Sequence, residues 1–134
     1  MRLEHLATLG TIAALGLSAT GASAQQAAVQ NFECRFDRQC EEDAPCAKSG
    51  YVAAVAVDGA PGRDGPITAL LEDDMGQHEL SGYRMEGSLA AAAHAPSDGS
   101  YLLTIWPGGG ARLTSHYPGG PPAVTMVGQC QEAR

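Results

Sequence analysis

Short apolar segments recur along this chain at intervals of about 11 residues, and each is followed by residues that favour tight turns. The connecting stretches are rich in glycine, proline and aspartate, which interrupt regular structure. The apolar segments are residues 51–57, 67–72, 77–83, 88–94, 100–106, 111–116 and 123–127. This spacing predicts an all-β domain, an antiparallel meander of about seven to eight strands that forms a small barrel or a sandwich.

Alternation within the segments predicts which side chains face the interior. In S-Y-L-L-T-I-W, residues Tyr101, Leu103 and Ile105 share one face of a strand. In A-R-L-T-S-H, Leu113 is expected inward and His116 outward. The segment at residues 88–94, S-L-A-A-A-A-H, is also compatible with a short helix, because alanine is a strong helix former. Its short length and hairpin context favour a strand.

The first 24 residues have the three-part layout of a secretory signal. Arg2 precedes a mostly apolar run of about 12 residues, which ends before the small residues Ala22, Ser23 and Ala24. The alternative, an N-terminal membrane anchor, needs roughly 20 apolar residues. We therefore expect cleavage between Ala24 and Gln25, and a periplasmic or secreted mature protein without membrane insertion.

Cleavage would remove 24 of the 134 residues and leave 110, which is enough for one domain. We expect a lead-in at residues 25–33, a single β domain at residues 34–130 and a tail at residues 131–134. Arg2 and Glu4 cancel, so the mature chain keeps the net charge of −7. This acidity disfavours nucleic acid and anionic membranes as partners. A cationic partner stays possible, although the charge also keeps a small exported monomer soluble.

The four cysteines predict two structural disulfides, because an exported chain meets an oxidising environment. The spacing between Cys34, Cys40 and Cys46 lacks the close pairs of zinc sites and the C-x-x-C of thioredoxin-like redox sites. Three pairings are possible. We favour Cys40 with Cys46 as a local ring, and Cys34 with Cys130, because alternation directs both of the latter inward. Many strand positions are alanine, so the thin core would depend on these bridges.

Acidic and histidine residues offer the first candidate chemistry. The stretch from Glu72 to Glu79, E-D-D-M-G-Q-H-E, is interpreted as a solvated hairpin turn, with a weak cation site as the alternative. His78, His94 and His116 are predicted at the surface, although neighbouring strands can assemble distant histidines into a metal site. No serine has a recognisable catalytic base, and no catalytic, metal or cofactor-binding residue is assigned.

Aromatic residues offer a candidate binding surface. The glycine-rich stretches P-G-G-G-A and P-G-G-P-P each lead into a strand, so they are interpreted as hairpin connections rather than phosphate loops. Trp106 and Tyr117 lie next to these stretches and are predicted to form a patch at one end of the sheet. Together with Tyr83 they are the candidate binding surface.

The chain also resembles known exported proteins. A signal peptide, F-E-C-R-F-D-R-Q-C-E-E-D-A-P-C, S-Y-L-L-T-I, A-R-L-T-S-H and V-G-Q-C together are similar to a group of small uncharacterised exported alphaproteobacterial proteins with four cysteines. That resemblance covers most of the mature chain and implies the architecture without a mechanism. A second resemblance is to small barrel inhibitors of c-type lysozyme, which present an S-G-x-x-Y loop. Here Ser81, Gly82 and Tyr83 are in direct succession.

The sequence thus predicts a non-enzymatic binding or structural protein that meets an unidentified protein or envelope component. One alternative is a periplasmic inhibitor of a cationic enzyme such as c-type lysozyme, which the net charge and size of the chain favour. Another is a small hydrolase in which carboxylates or histidines converge, since two carboxylates that flank a glycosidic bond can hydrolyse it.

Overall fold

The computed structural model describes residues 28–59, 61–95, 99–120 and 123–134, and the expected signal peptide lies outside them. These residues form eight strands. The strands are β1 (Val29–Glu41), β2 (Ala47–Asp58), β3 (Gly65–Asp73), β4 (Gly76–Met85), β5 (Ser88–Ala95), β6 (Gly99–Ile105), β7 (Gly110–His116) and β8 (Val124–Glu132). Two strands extend beyond the expected domain limits, because β1 begins at Val29 and β8 ends at Glu132.

Each strand pairs antiparallel with the next, and β1 pairs with β8, so the sheet closes into a barrel. The predicted all-β meander is confirmed, and of the two predicted closures the barrel is the one formed. The alanine-rich segment is confirmed as a strand, because β5 forms ladders with both β4 and β6. Such pairing on two sides outweighs the local helix preference of alanine.

Alternation along the strands fills the interior of the barrel with apolar side chains. The largest fully buried ones are Phe36, Leu71, Leu80, Leu113, Val55 and Val57. Four further core positions are alanine, namely Ala53, Ala69, Ala91 and Ala111. Because an alanine buries little apolar area, each of these positions contributes less than a larger side chain would.

Close strand contacts explain two of the glycines. A Cβ at Gly82 would lie 1.9 Å from the carbonyl oxygen of Ala90 on the next strand. A Cβ at Gly128 would lie 2.0 Å from the carbonyl oxygen of Arg35, beside the register shift between Phe36 and Arg38. Neither position has room for a side chain unless the backbone moves.

Both disulfides form as predicted. Cys34 and Cys130 are direct partners in the β1–β8 ladder, with Cα atoms 4.0 Å apart, and they join residues separated by 96 positions. Cys40 and Cys46 close a local ring across the β1–β2 connection. No free cysteine remains among the described residues. Two such bridges are compatible with an oxidising compartment.

The barrel has two ends, which are named here by what they contain. The terminal end holds the start of β1 and the end of β8, and the tyrosine end holds Tyr51, Tyr101 and Tyr117. The strand residues at the terminal end are Val29, Asp58, Gly65, Met85, Ser88, Ile105, Gly110 and Glu132. Those at the tyrosine end are Glu41, Ala47, Asp73, Gly76, Ala95, Gly99, His116 and Val124.

Candidate functional site

A nearly buried arginine lies at the terminal end of the barrel. Alternation along β4 directs Leu80 and Arg84 inward, and the Arg84 residue is only 4% exposed. Its Nη2 donates a hydrogen bond to the Gln30 side-chain oxygen at 2.8 Å. Its Nε is buried without an acceptor, and no carboxylate forms an ion pair with it among the described residues. A buried cation thus has one neutral partner.

A pocket of about 840 Å³ opens over this arginine. Its deep part contains Arg84 together with the buried side chains of Leu89 and Ile105. Its outer part contains Trp106, which is 41% exposed. The remaining described lining residues are Gln30, Phe32, Glu33, Gly62, Gly87, Pro107, Gly108, Gly109, Cys130, Gln131, Glu132, Ala133 and Arg134. A volume of this size suits a small organic ligand.

Backbone hydrogen bonds fix the position of Trp106. The Trp106 nitrogen donates to the Gly110 oxygen at 2.8 Å, and the Gly109 nitrogen donates to the Trp106 oxygen at 3.0 Å. The Cys130 nitrogen donates to the Gly109 oxygen at 2.7 Å, which ties this turn to β8. Gly109 has a φ of 92°, and a Cβ there would lie 2.5 Å from the Cys130 oxygen. Only glycine fits this turn.

The part of the pocket wall beside the Trp106 turn comes from residues 130–134. The Ala133 nitrogen donates to the Asn31 oxygen at 2.9 Å, which extends the β1–β8 contact past the last strand residue. Glu132 pairs with Phe32, whereas Glu33 pairs with Gln131. Because directly paired residues project to the same face of a sheet, the two glutamates project to opposite faces. They do not converge into a carboxylate pair.

The tyrosine end also contains a buried charge, Asp73, whose side chain is 4% exposed. The Tyr51 hydroxyl donates to its Oδ2. The Met75 and Gly76 nitrogens donate to its Oδ1 at 2.8 and 3.1 Å. Burial raises the pKa of the Tyr51 phenol above its usual value, and the hydrogen bond to Asp73 raises it further. Asp73 thus locks the β3–β4 turn onto β2.

His78 lies beside Asp73 but forms no hydrogen bond with it. The Nε2 of His78 lies 3.7 Å from the Asp73 Oδ1, which is too long for a hydrogen bond, and it has no partner. The His78 ring lies against Tyr101, with centroids 4.5 Å apart. The prediction of a surface position is therefore wrong for His78, whose side chain is 15% exposed because it shares the inward face of Leu80. His94 and His116 are exposed.

The acidic turn differs in one residue from its interpretation as solvated. Residues Glu72, Asp74 and Glu79 are exposed, but Asp73 is the last inward position of β3 and its carboxylate is buried. The turn needs that carboxylate, because its oxygens accept the free backbone N–H groups. No group of three histidine, cysteine or acidic residues suited to a metal ion occurs among the described residues.

The three predicted binding-surface residues lie apart. Trp106 lines the pocket at the terminal end, whereas Tyr117 contacts Tyr101 at the tyrosine end, edge-on at 6.2 Å. The reason is that β7 runs between them along the length of the barrel. Tyr83 is exposed on the outside of β4, opposite Ala90. The structure therefore does not gather them into one aromatic patch.

The sequence interpretation missed Arg84, although a signal was present. Arg84 lies four residues after Leu80 in a strand whose alternate residues face inward, so strict alternation directs it into the barrel. The same strand contains Ser81, Gly82 and Tyr83 near its middle, so this triplet is not on a loop.

Comparison with known proteins gives no relative from which a role could be transferred: no family model, curated protein or solved structure matches the chain. In the part of the chain that the structure describes, no helix is long and apolar enough to cross a membrane.

Proposed function

We propose that this chain is a non-enzymatic binding protein of the periplasm or cell envelope, and that the pocket at the terminal end is its binding site. One observation carries the proposal. The pocket of about 840 Å³ leads to the guanidinium of Arg84, which is nearly buried and has no carboxylate partner among the described residues. Concave sites with an apolar lining and a few placed polar groups are the usual form of small-molecule sites.

Export is supported by two independent features. The first 24 residues have the layout of a secretory signal, and the disulfides Cys34–Cys130 and Cys40–Cys46 are compatible with an oxidising compartment. Both features agree with a periplasmic or secreted location for the mature chain.

Binding is favoured over hydrolysis by the arrangement of the acidic groups. Hydrolysis by paired carboxylates requires the two groups to face one substrate across a short gap. The pocket has Glu33 and Glu132 among its described lining residues, and these project to opposite faces of the β1–β8 ladder. Asp73 lies at the other end of the barrel, where three donors already bind its oxygens.

The test is to isolate the mature, oxidised protein from the periplasm and weigh it by native mass spectrometry. We expect a noncovalent small-molecule adduct. Ala133→Phe adds bulk at the exposed C-terminal wall of the pocket and should reduce the adduct. Ala44→Phe, on the exposed β1–β2 connection at the other end, is the matched control and should leave the adduct unchanged.

A second measurement covers a ligand that dissociates during purification. The small-molecule fraction of a periplasmic extract should raise the melting temperature of the wild type and of Ala44→Phe, because a ligand that binds only the native state stabilises it. The proposal is wrong if the protein carries no adduct and the extract leaves its melting temperature unchanged.

A further inference from the structure

We infer that the ligand of the terminal pocket is a small monocarboxylic acid with an apolar body, whose carboxylate pairs with the guanidinium of Arg84. This inference rests on the proposed function, since it names the chemical class that the same pocket recognises.

The hydrogen bonding of Arg84 calls for an anion. A guanidinium carries five N–H donors in a planar fork that matches a carboxylate. In the described part of the chain its only hydrogen bond goes to the neutral amide oxygen of Gln30, and Nε has no acceptor. A buried charge without an opposite charge is unfavourable, and a carboxylate entering the pocket would neutralise it.

The charges around the pocket favour a single negative charge. Arg84 is the only nearly buried cation in the described chain, and the other charged residues of the described lining are the exposed Arg134, Glu33 and Glu132. The whole protein has a net charge of −7, so an approaching anion is repelled at long range. A monoanion loses less by this repulsion than a phosphate dianion does. The one nearly buried guanidinium provides one fork, which one carboxylate fills, whereas the charge of Arg134 is exposed to water and screened.

The lining residues favour an apolar body on the ligand. Leu89 and Ile105 are buried beside Arg84, and Phe32 packs against the same core. Trp106 stands at the outer part of the pocket and offers a flat aromatic surface. An alkyl or aryl group attached to the bound carboxylate would therefore remove apolar surface from water on both molecules.

Trp106 makes the inference measurable, because it is the only tryptophan in the chain and it lines the pocket. Tryptophan emission is recorded while the mature wild type is titrated with octanoate and, separately, with 1-octanol. Phenylacetate and 2-phenylethanol provide a second matched pair. Each acid should produce a saturable change at a concentration about ten- to a hundredfold lower than its alcohol, as for a hydrogen bond to a charged group.

Variants locate the charge that is responsible. Arg84→Met keeps the apolar stem without the guanidinium, and it should weaken octanoate about ten- to a hundredfold while leaving 1-octanol unchanged. Arg112→Met is the matched control. It removes an exposed cation 5.9 Å from the Trp106 ring, outside the pocket lining. It should alter the starting emission but not the octanoate midpoint. Arg84→Lys, with the charge but no fork, should weaken octanoate by an intermediate factor.

The outcomes separate this inference from the proposed function. If acids and alcohols bind equally in the wild type, the inference is wrong and the pocket still binds ligands. The wild-type comparison decides this even if Arg84→Met does not fold. If neither acids nor alcohols change the emission, the inference is wrong, and the adduct and melting measurements then decide the proposed function. Octanoate binding that Arg84→Met and Arg112→Met weaken equally would assign the effect to net charge and overturn the role of Arg84.

Discussion

Each end of the barrel contains one buried charge, and the two charges differ in sign and in how completely they are hydrogen-bonded. At the tyrosine end, the Asp73 carboxylate accepts hydrogen bonds from one hydroxyl and two backbone amides. At the terminal end, the Arg84 guanidinium has one neutral partner and faces a pocket. A buried charge whose hydrogen bonds are all made inside the protein stabilises a fold, whereas a buried charge that has one neutral partner and faces a pocket is available to a charged ligand. The difference between these two charges agrees with the binding site that we propose at the terminal end.

The largest expected effect is on stability, and it should differ between the two disulfides. Replacing Cys34 and Cys130 by alanine removes the bridge that ties β1 to β8 beside the pocket, across a separation of 96 residues. By the chain-entropy estimate the loss is about 4.7 kcal/mol, against about 2.4 kcal/mol for the ring of Cys40 and Cys46. Guanidinium unfolding of both double variants measures this. Equal losses would contradict the contrast.

Tyr51→Phe should weaken the tyrosine end without affecting the pocket. It removes the hydroxyl that donates to the buried Asp73 carboxylate, and a hydrogen bond to a charged group at a half-buried site contributes about 1–2 kcal/mol. Tyr83→Phe is the control, because Tyr83 is exposed on the outside of β4, and it should change stability by less than about 0.5 kcal/mol. Urea unfolding gives both values. Loss of octanoate binding in Tyr51→Phe would break the separation between the ends.

Alkaline pH should lower the stability of the protein through the Tyr51 hydroxyl at the tyrosine end. The folded-state pKa of Tyr51 is raised, so its contribution is fully present below the unfolded tyrosine pKa of about 10 and is lost as pH rises above it. We expect the unfolding free energy of the wild type to fall between pH 10 and 11 by at most about 1 kcal/mol, allowing for solvent screening. Tyr51→Phe should show a smaller fall. Parallel pH profiles for the two proteins would contradict this cause.

The smallest expected effect is on octanoate affinity, when one negative charge is removed from the pocket lining. Glu132 projects to the same face of the sheet as Phe32 and lines the pocket, so its negative charge repels an anion bound at Arg84. Glu132→Gln should tighten octanoate about two- to fivefold, as for a partly screened charge. Glu33→Gln removes the same charge from the opposite face and should have a smaller effect. The Trp106 titration measures both, and a weaker octanoate complex in Glu132→Gln would argue against a carboxylate ligand.

Features with a local sequence signature were predictable. Turn residues and alternation give the strands, and they direct Cys34 and Cys130 to the same interior, so the pairing followed. Closure into a barrel did not follow, because it depends on how far the sheet coils before β1 and β8 meet. The alanine-rich β5 required a choice between local propensity and its place between two strands.

The two buried charges were not predicted because their partners are distant in sequence. Asp73 reaches Tyr51 across 22 residues, and Arg84 reaches Gln30 across 54. A charged residue in a strand is ordinarily expected outward, and here alternation overrides that expectation at both positions. The sequence interpretation placed the acidic turn from Glu72 to Glu79 in solvent because of its polarity and did not consider Arg84, whereas the backbone follows the strand period at both sites.

The β1–β8 ladder has a consequence for how the protein is made. Because β1 pairs with β8, one edge of β1 stays unpaired and Cys34 lacks its native partner until β8 has been delivered. Within the chain, oxidation of Cys34 before that moment can pair it only with Cys40 or Cys46, which are nearer in sequence. A product cut short ahead of Cys130 keeps that edge open to strand addition by neighbouring chains, so the arrival of β8 protects the protein against aggregation.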